Sequence, residues 1–335
     1  MVHLRIVVPA DRCEKVLDLL EASPSTSNLV FLAGAARQPK GDVVLCDIAR
    51  EDASVLIEDL KELGVARDGS IALEQIDSQI SDAADRAERA ARGMPSDAVV
   101  WEEVEARTSE TTELGGNFLI FMVLACLIAS VGIFLGSPIL IVGAMVVGPE
   151  FGPLAGLCVA AVERRPEVGV RSLTALAVGF PVGITFAFLF TLICVATGLI
   201  DSNFHSTDNP LTRFIAEPDT FSFVVAAFAG AAGMLSLTSA KSGALVGVLI
   251  SVTTIPAAAN IGIAAALGNW DDWRGAMLQL SVNLIAIVLA GVTTLYVQRL
   301  LFERRRRRHL GDGTRAAAGL STEARRRRRR GMPRV

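Results

Sequence analysis

Residues 143–154, GAMVVGPEFGPL, place two prolines, Pro149 and Pro153, and one carboxylate, Glu150, in the middle of an apolar run that spans 137–163. Proline removes a helix hydrogen bond and clashes with the preceding turn. Gly148 and Gly152 loosen the backbone on either side. A helix written this way is expected to break near its centre. In lipid, the backbone groups freed by such a break must be satisfied by protein or by a water-filled cavity. A charged Glu at that depth costs about 2–4 kcal/mol on insertion scales. Glu150 is therefore expected to line a midplane cavity, where it binds a cation or proton or senses solute charge, or to cap the second half-helix, and the two roles can coexist.

Working outward, runs long enough to span a bilayer follow one another at 117–136, 137–163, 172–199, 221–240, 243–267 and 275–300. Each has the roughly 20 residues a crossing needs. The very short links at 136–138 and 240–243 leave open a re-entrant hairpin in place of two spans. The links carry the orientation. ERRPEVGVR (163–171) has three Arg, Lys241 lies in the second short link, and an arginine run follows the last span. The loop 200–220 has one Arg and four acids, and GNWDDWRG (268–275) has two acids and one Arg. The positive-inside rule puts the basic links and both termini in the cytoplasm of a multi-pass protein of the inner (plasma) membrane. Trp270 and Trp273 sit where an outer aromatic belt is expected.

The two membrane halves resemble each other. Each runs span, short link, proline-interrupted span, charged link, span. The middle spans are GAMVVGPEFGPLAGLCVAAV and GVLISVTTIPAAANIGIAAAL. Three spans per half make this an inverted repeat, and paired broken helices point to a midplane site. The solute- or ion-binding candidates are therefore Pro149, Glu150, Gly152 and Pro153 in the first half. In the second they are Thr253, Thr254, Pro256 and Asn260, with Asn283, and Gln279 one turn before it, in the last span. Helix repair and interhelical hydrogen bonding are the structural alternatives for the polar members. Ala226, Gly230 and Gly233 in the fourth span predict close helix packing, within the chain or in a homo-oligomer.

Ahead of the membrane part, residues 3–8, 29–36, 43–49 and 70–77 read as strands, and 11–22 and 51–64 as amphipathic helices, the second closed by Gly64. The order βαββαβ predicts a ferredoxin-like α+β domain over 1–77. His3 is alone and reads as structural. Residues 78–115 read as a helical linker with Asp97 as an N-cap, and the acids of WEEVE as a solvated face. Residues 116–300 form the transmembrane domain. Residues 301–335 form an Arg-rich cytoplasmic tail, expected to be disordered.

Composition agrees with two unlike parts. Of 335 residues, 51% are hydrophobic and only 20% charged, and mean hydropathy is +0.47. The net charge of −3 hides a tail, 303–335, with 13 Arg against 3 acids. Arg304, Arg305, Arg306, Arg307 and Arg308 abut the last span and are expected to bind anionic lipid. Arg325–Arg330 follow further on. No aromatic residues interleave with the arginines, so nucleic acid is not expected as a partner. The five cysteines form no CxxC and no cluster with His, which gives neither a disulfide framework nor a metal site. The opening residues do not read as a signal peptide. No cofactor is indicated. His3, His205 and His309 all lie outside the spans, so no catalytic arrangement is visible there and an enzyme is not expected.

At GAMVVGPEFGPLAG (143–156) and GAAGMLSLTSAKSGALVGVLISVTTIPAAANIGIA (230–264), the chain resembles the membrane proteins grouped as domain of unknown function 389. The resemblance covers roughly 115–300, with DAVVWEEV just before it. Members often read S-P-L-M-G-P where this chain has Gly148 to Pro153, and L-P-P at Ile255 to Ala257. The resemblance implies fold and topology rather than chemistry. A small-solute or ion transporter or channel, regulated by its head, is the expected function. The alternative is a non-transporting membrane receptor or scaffold whose head senses a ligand.

Overall fold

Strand β1 (Val2–Val8) alternates buried Val2, Leu4, Ile6 and Val8 with more exposed His3, Arg5 and Val7, the period of two that a half-buried strand requires. It is the second strand from one edge of a four-stranded sheet with β2 (Thr26–Arg37), β3 (Lys40–Ile48) and β4 (Ser70–Gln75), in the order β2-β3-β1-β4. All three strand pairs are antiparallel. Helix α1 (Cys13–Glu21) follows β1 and α2 (Arg50–Glu62) follows β3, with one extra helical turn, α3 (Val65–Asp68), before β4. This is the expected order of elements, in the strand sequence that two interleaved βαβ units produce. Val16, Leu19 and Leu20 of α1 and Leu56, Ile57 and Leu60 of α2 bury against the inward face of β1 and β3. The link between the strands expected at 29–36 and 43–49 is shorter than their bounds imply, because β2 runs on to Arg37 and β3 begins at Lys40.

The computed structural model describes residues 1–76, 78–91, 98–205, 220–239, 246–310 and 313–320, with backbone alone at 110–111, 246–253 and 313. Asp97, Lys241, Arg325–Arg330 and the side chain of Thr253 lie outside the described residues. The chain divides into two units. One comprises Met1–Val104, Thr238–Ala240 and Gln298–Val335; the other comprises Glu105–Leu237 and Lys241–Val297.

The first unit also contains α4 (Asp82–Ala90), which packs on β2 and β3 and is capped by the Ser81 hydroxyl accepting from the Ala84 amide at 3.3 Å. Helix α5 (Trp101–Thr111) begins in this unit as well.

The second unit is helical. It holds α6 (Gly116–Phe134), α7 (Pro138–Val147), α8 (Phe151–Glu163), α9 (Pro166–Ala196), α10 (Thr220–Thr238), α11 (Val246–Leu267) and the first 28 residues or so of α12 (Trp270–His309). Among the described residues, four helices, α6, α9, α10 and α12, are long and apolar enough to cross a membrane. The pair α7 and α8 passes the same test jointly and is bent by 54° at its break, which makes up to five. Residues Thr254–Leu267 of α11 form a shorter apolar helix. Large apolar side chains such as Ile139, Leu173, Phe228 and Leu289 remain exposed on these helices. Set against a fully buried interior that includes Met122, Ala129 and Ile287, this is the pattern of a membrane-associated protein.

Two expectations change here. The break in 137–163 is present, but its proposed counterpart is not, because α11 runs through Pro256 without interruption. Proline removes only one donor, and Ile255, Ala257, Ala258 and Ala259 around it are completely or almost completely buried, so packing holds the helix together. The first part of the tail expected to be disordered from 301 onward is helical instead. Residues 301–309 finish α12, and α13 (Gly313–Ala317) follows; Ala318 and Leu320 join the core under the sheet.

Candidate functional site

The break is built by local chemistry. Gly148 ends α7 in an extended conformation, as the residue before a proline should. Pro149 has no amide proton to leave unsatisfied. Glu150 then opens α8, its carbonyl accepting from the Leu154 amide at 3.1 Å. Gly152 and Pro153 occupy the first turn of α8, where a missing amide proton costs nothing, and both are buried.

The Glu150 side chain does not cap α8. It is completely buried, and its Oε1 accepts a hydrogen bond from Thr254 Oγ1 at 2.7 Å. Thr254 belongs to α11, 104 residues away in the chain. The capping alternative is thus replaced by a contact between the broken span and the helix that carries Pro256. Glu150 still sits at the N-terminal end of α8, where the helix dipole favours negative charge.

Not every candidate joins this contact. Asn260 lies six residues beyond Thr254, about 9 Å along α11 and roughly 120° around it. It is completely buried, and among the described residues neither its Oδ1 nor its Nδ2 has a hydrogen-bond partner. Asn283 and Gln279 are buried on α12, and Gln279 Oε1 likewise lacks a partner. Small residues allow the close packing around these groups. A Cβ at Gly262 would fall 2.6 Å from the Ile184 carbonyl oxygen, and one at Gly230 would fall 2.5 Å from that of Ile287. Among the described residues, no group of three or more His, Cys, Asp or Glu is placed to hold a metal ion.

Residues 145–289 match the family described as domain of unknown function (DUF389). The DUF389 match takes in Glu150, Thr254, Asn260, Gln279 and Asn283, and leaves out the sheet domain. An uncharacterized protein of Methanocaldococcus jannaschii is 25% identical over 194 residues, 58% of this chain and 58% of that protein. The chain thus spans under two thirds of the length of this curated relative. No solved structure matches.

Outside the matched region, several polar clusters escaped the sequence reading, among them one in which Glu102 and Glu103, read as a solvated face, are held by Ser54 and Lys61 and by Arg50 and Gln75. Another centres on Asp47 of β3. Its Oδ1 pairs with His3 Nδ1 at 2.7 Å, and its Oδ2 accepts from Asn28 Nδ2 and Gln79 Nε2, each at 2.7 Å. Burial alone would push this carboxyl up. The hydrogen bonds from Asn28, His3 and Gln79 outweigh it and hold the group below the usual carboxylate range. His3 faces Asp47 directly in the β1–β3 register, so it is not alone and has a partner that only strand pairing reveals.

A further cluster receives part of the arginine run. Arg305 pairs with Asp52 at 3.1 Å. Arg306 reaches Glu58 at 2.9 Å, Asp59 at 2.7 Å and the Val55 carbonyl at 2.6 Å. His309 Nε2 lies 2.8 Å from Asp59, and Arg315 bridges Asp59 and Glu62. Asp52, Glu58, Asp59 and Glu62 all project from α2. Arg304, Arg307 and Arg308 are exposed. Of the five arginines read as lipid-binding, two are therefore held by protein carboxylates. A sign was present in the sequence, since the acidic positions of α2 recur at helical spacing, but nothing there names their partner.

The five cysteines are free and buried. In the sheet domain, burial, with Asp42 alongside, pushes the Cys13 thiol up to about 11, and burial beside Asp47 pushes Cys46 up to about 12.

Proposed function

We propose that the DUF389 region moves a small solute or ion across the membrane and that Glu150 and Thr254 form part of its binding site. One observation carries this reading: a completely buried carboxylate at a helix break, bonded to a hydroxyl on the proline-bearing helix of the other half. Ionisable groups at that depth are costly, and they mark ion and solute pathways more often than packing. Six crossings, in two inverted three-span halves, belong to the same proposal. It includes α11 as a full crossing, a plasma-membrane location and cytoplasmic termini, resting on the basic links at 163–171 and after the last span. The sheet domain regulates the pathway, no catalysis is involved, and association into a homo-oligomer completes the picture.

Reconstitution into liposomes tests this. Purified protein is loaded opposite gradients of H⁺, Na⁺ and K⁺, and flux is followed with entrapped dyes. The proposal expects flux above that of empty vesicles, lost in Glu150→Gln. Equal flux in wild type and Glu150→Gln removes Glu150 from the pathway. If none of the three ions and no small organic anion or cation moves, the receptor reading takes over.

A further inference from the structure

Glu51, in the first turn of α2, is only 6% exposed, and among the described residues neither carboxylate oxygen has a hydrogen-bond partner. A buried carboxylate left in that state is costly, because it has given up water without gaining donors. Its position explains how the charge is tolerated, since the N-terminal end of a helix favours an anion. Its position does not supply the missing donors.

Glu51 belongs to the lining of a pocket of about 90 Å³ formed with Ala98, Val99, Gln298, Leu301, Phe302 and Arg305. All of these residues lie in the same unit as the sheet. Gln298 brings a second unsatisfied acceptor. Its Nε2 donates to Thr238 Oγ1 at 2.9 Å, while its Oε1 is buried and lacks a partner. Arg305 is turned to Asp52 at 3.1 Å. Leu301 and Phe302 supply an apolar wall. Three buried acceptor oxygens without partners among the described residues therefore belong to residues around one small space, to which Ala98, Val99, Leu301 and Phe302 give apolar walls beside Arg305.

We propose that this pocket binds the primary ammonium group of a small organic cation. An ammonium has three N–H donors and no acceptor, which matches the two oxygens of Glu51 and the one of Gln298. The pocket is several times larger than the space one water requires, so it accommodates a short alkyl chain on the nitrogen against Leu301 and Phe302. A divalent metal ion fits less well, because it calls for more oxygen ligands than these. The site gives the sheet domain a ligand class of its own. It does not depend on transport, so Glu150→Gln leaves it intact and either proposal can fail without the other.

The test is calorimetric titration of the detergent-solubilised full chain with ethylammonium chloride. Saturable binding is expected, with a Kd on the order of 1 mM for so small a probe. In Glu51→Gln, which preserves shape and is checked for folding by circular dichroism, binding should weaken by at least about tenfold. Tetramethylammonium chloride has the charge but no N–H group and should show no saturable binding to wild type, a comparison that needs no variant. Equal binding of the two salts, unchanged binding in Glu51→Gln, preferential binding of Mg²⁺, or no saturation by ethylammonium up to about 50 mM would each overturn the proposal.

Discussion

Changing Asp59 to Asn removes the negative charge at which Arg306, His309 and Arg315 converge. Asp59 and Arg315 are both completely buried. When one partner of a buried ion pair is removed, the charge left behind stays desolvated, and the cost is about 3–5 kcal/mol. Glu58 and Glu62 remain to hold Arg306 and Arg315, so the low end of that range applies. About 3 kcal/mol raises the population of states with this segment undocked by roughly 100-fold. The control is Asp52→Asn. Its pair with Arg305 is more than a quarter exposed on both sides, and exposed pairs contribute about 0–1 kcal/mol. Hydrogen exchange read by mass spectrometry over peptides spanning 301–320 and α2 separates the two. Asp59→Asn should speed exchange there by roughly 100-fold and Asp52→Asn by less than about fivefold. Wild-type exchange in Asp59→Asn, or equal effects in the two variants, refutes the reasoning from burial.

Thr254→Val removes the donor to Glu150 Oε1 while keeping the shape. It should destabilise the detergent-solubilised protein by about 1.5–3 kcal/mol, seen as a lower Tm, with Thr254→Ser close to wild type. Gly262→Ala drives a methyl group into the backbone of α9 and should cost about 1–3 kcal/mol by the same measurement. Gly143→Ala, where a Cβ meets nothing within 4 Å, should be neutral or slightly stabilising. Because the Asp47 carboxyl is held below its ordinary value, its contribution to stability is fully present above about pH 3.9 and is lost as pH falls through its depressed folded value. Asp47→Asn should therefore lower stability at neutral pH and flatten the acid limb of the unfolding curve followed by circular dichroism.

The parts of the fold legible in sequence are those set by short-range chemistry. The alternation of Val2, Leu4, Ile6 and Val8 announces a strand, and Pro149 with Gly148 announces a break, because period and backbone restriction are local properties. Pro256 shows the limit of that reasoning. The same residue type leaves α11 continuous because its neighbours are packed on all sides, and packing is not written in the local sequence. Glu150 was legible as costly, but its partner was not, since Thr254 had several equally good uses beside a proline. The Asp47 cluster needed the β1–β3 register to bring His3 opposite it. The arginines after the last span illustrate the same point with charge. A basic run has the same composition whether it meets lipid phosphates or the carboxylates of α2, and only the docking of α13, with Ala318 and Leu320 in the core under the sheet, tells the two apart.

The most direct test of the transport account is water access to position 150. A single cysteine is placed there by Glu150→Cys after replacement of the five native cysteines, and a small charged thiol reagent is applied from each side of sealed vesicles. The account predicts labelling from one or both sides. Absence of labelling in folded protein, with full labelling after denaturation, would contradict it and leave Glu150 and Thr254 as a dry structural contact.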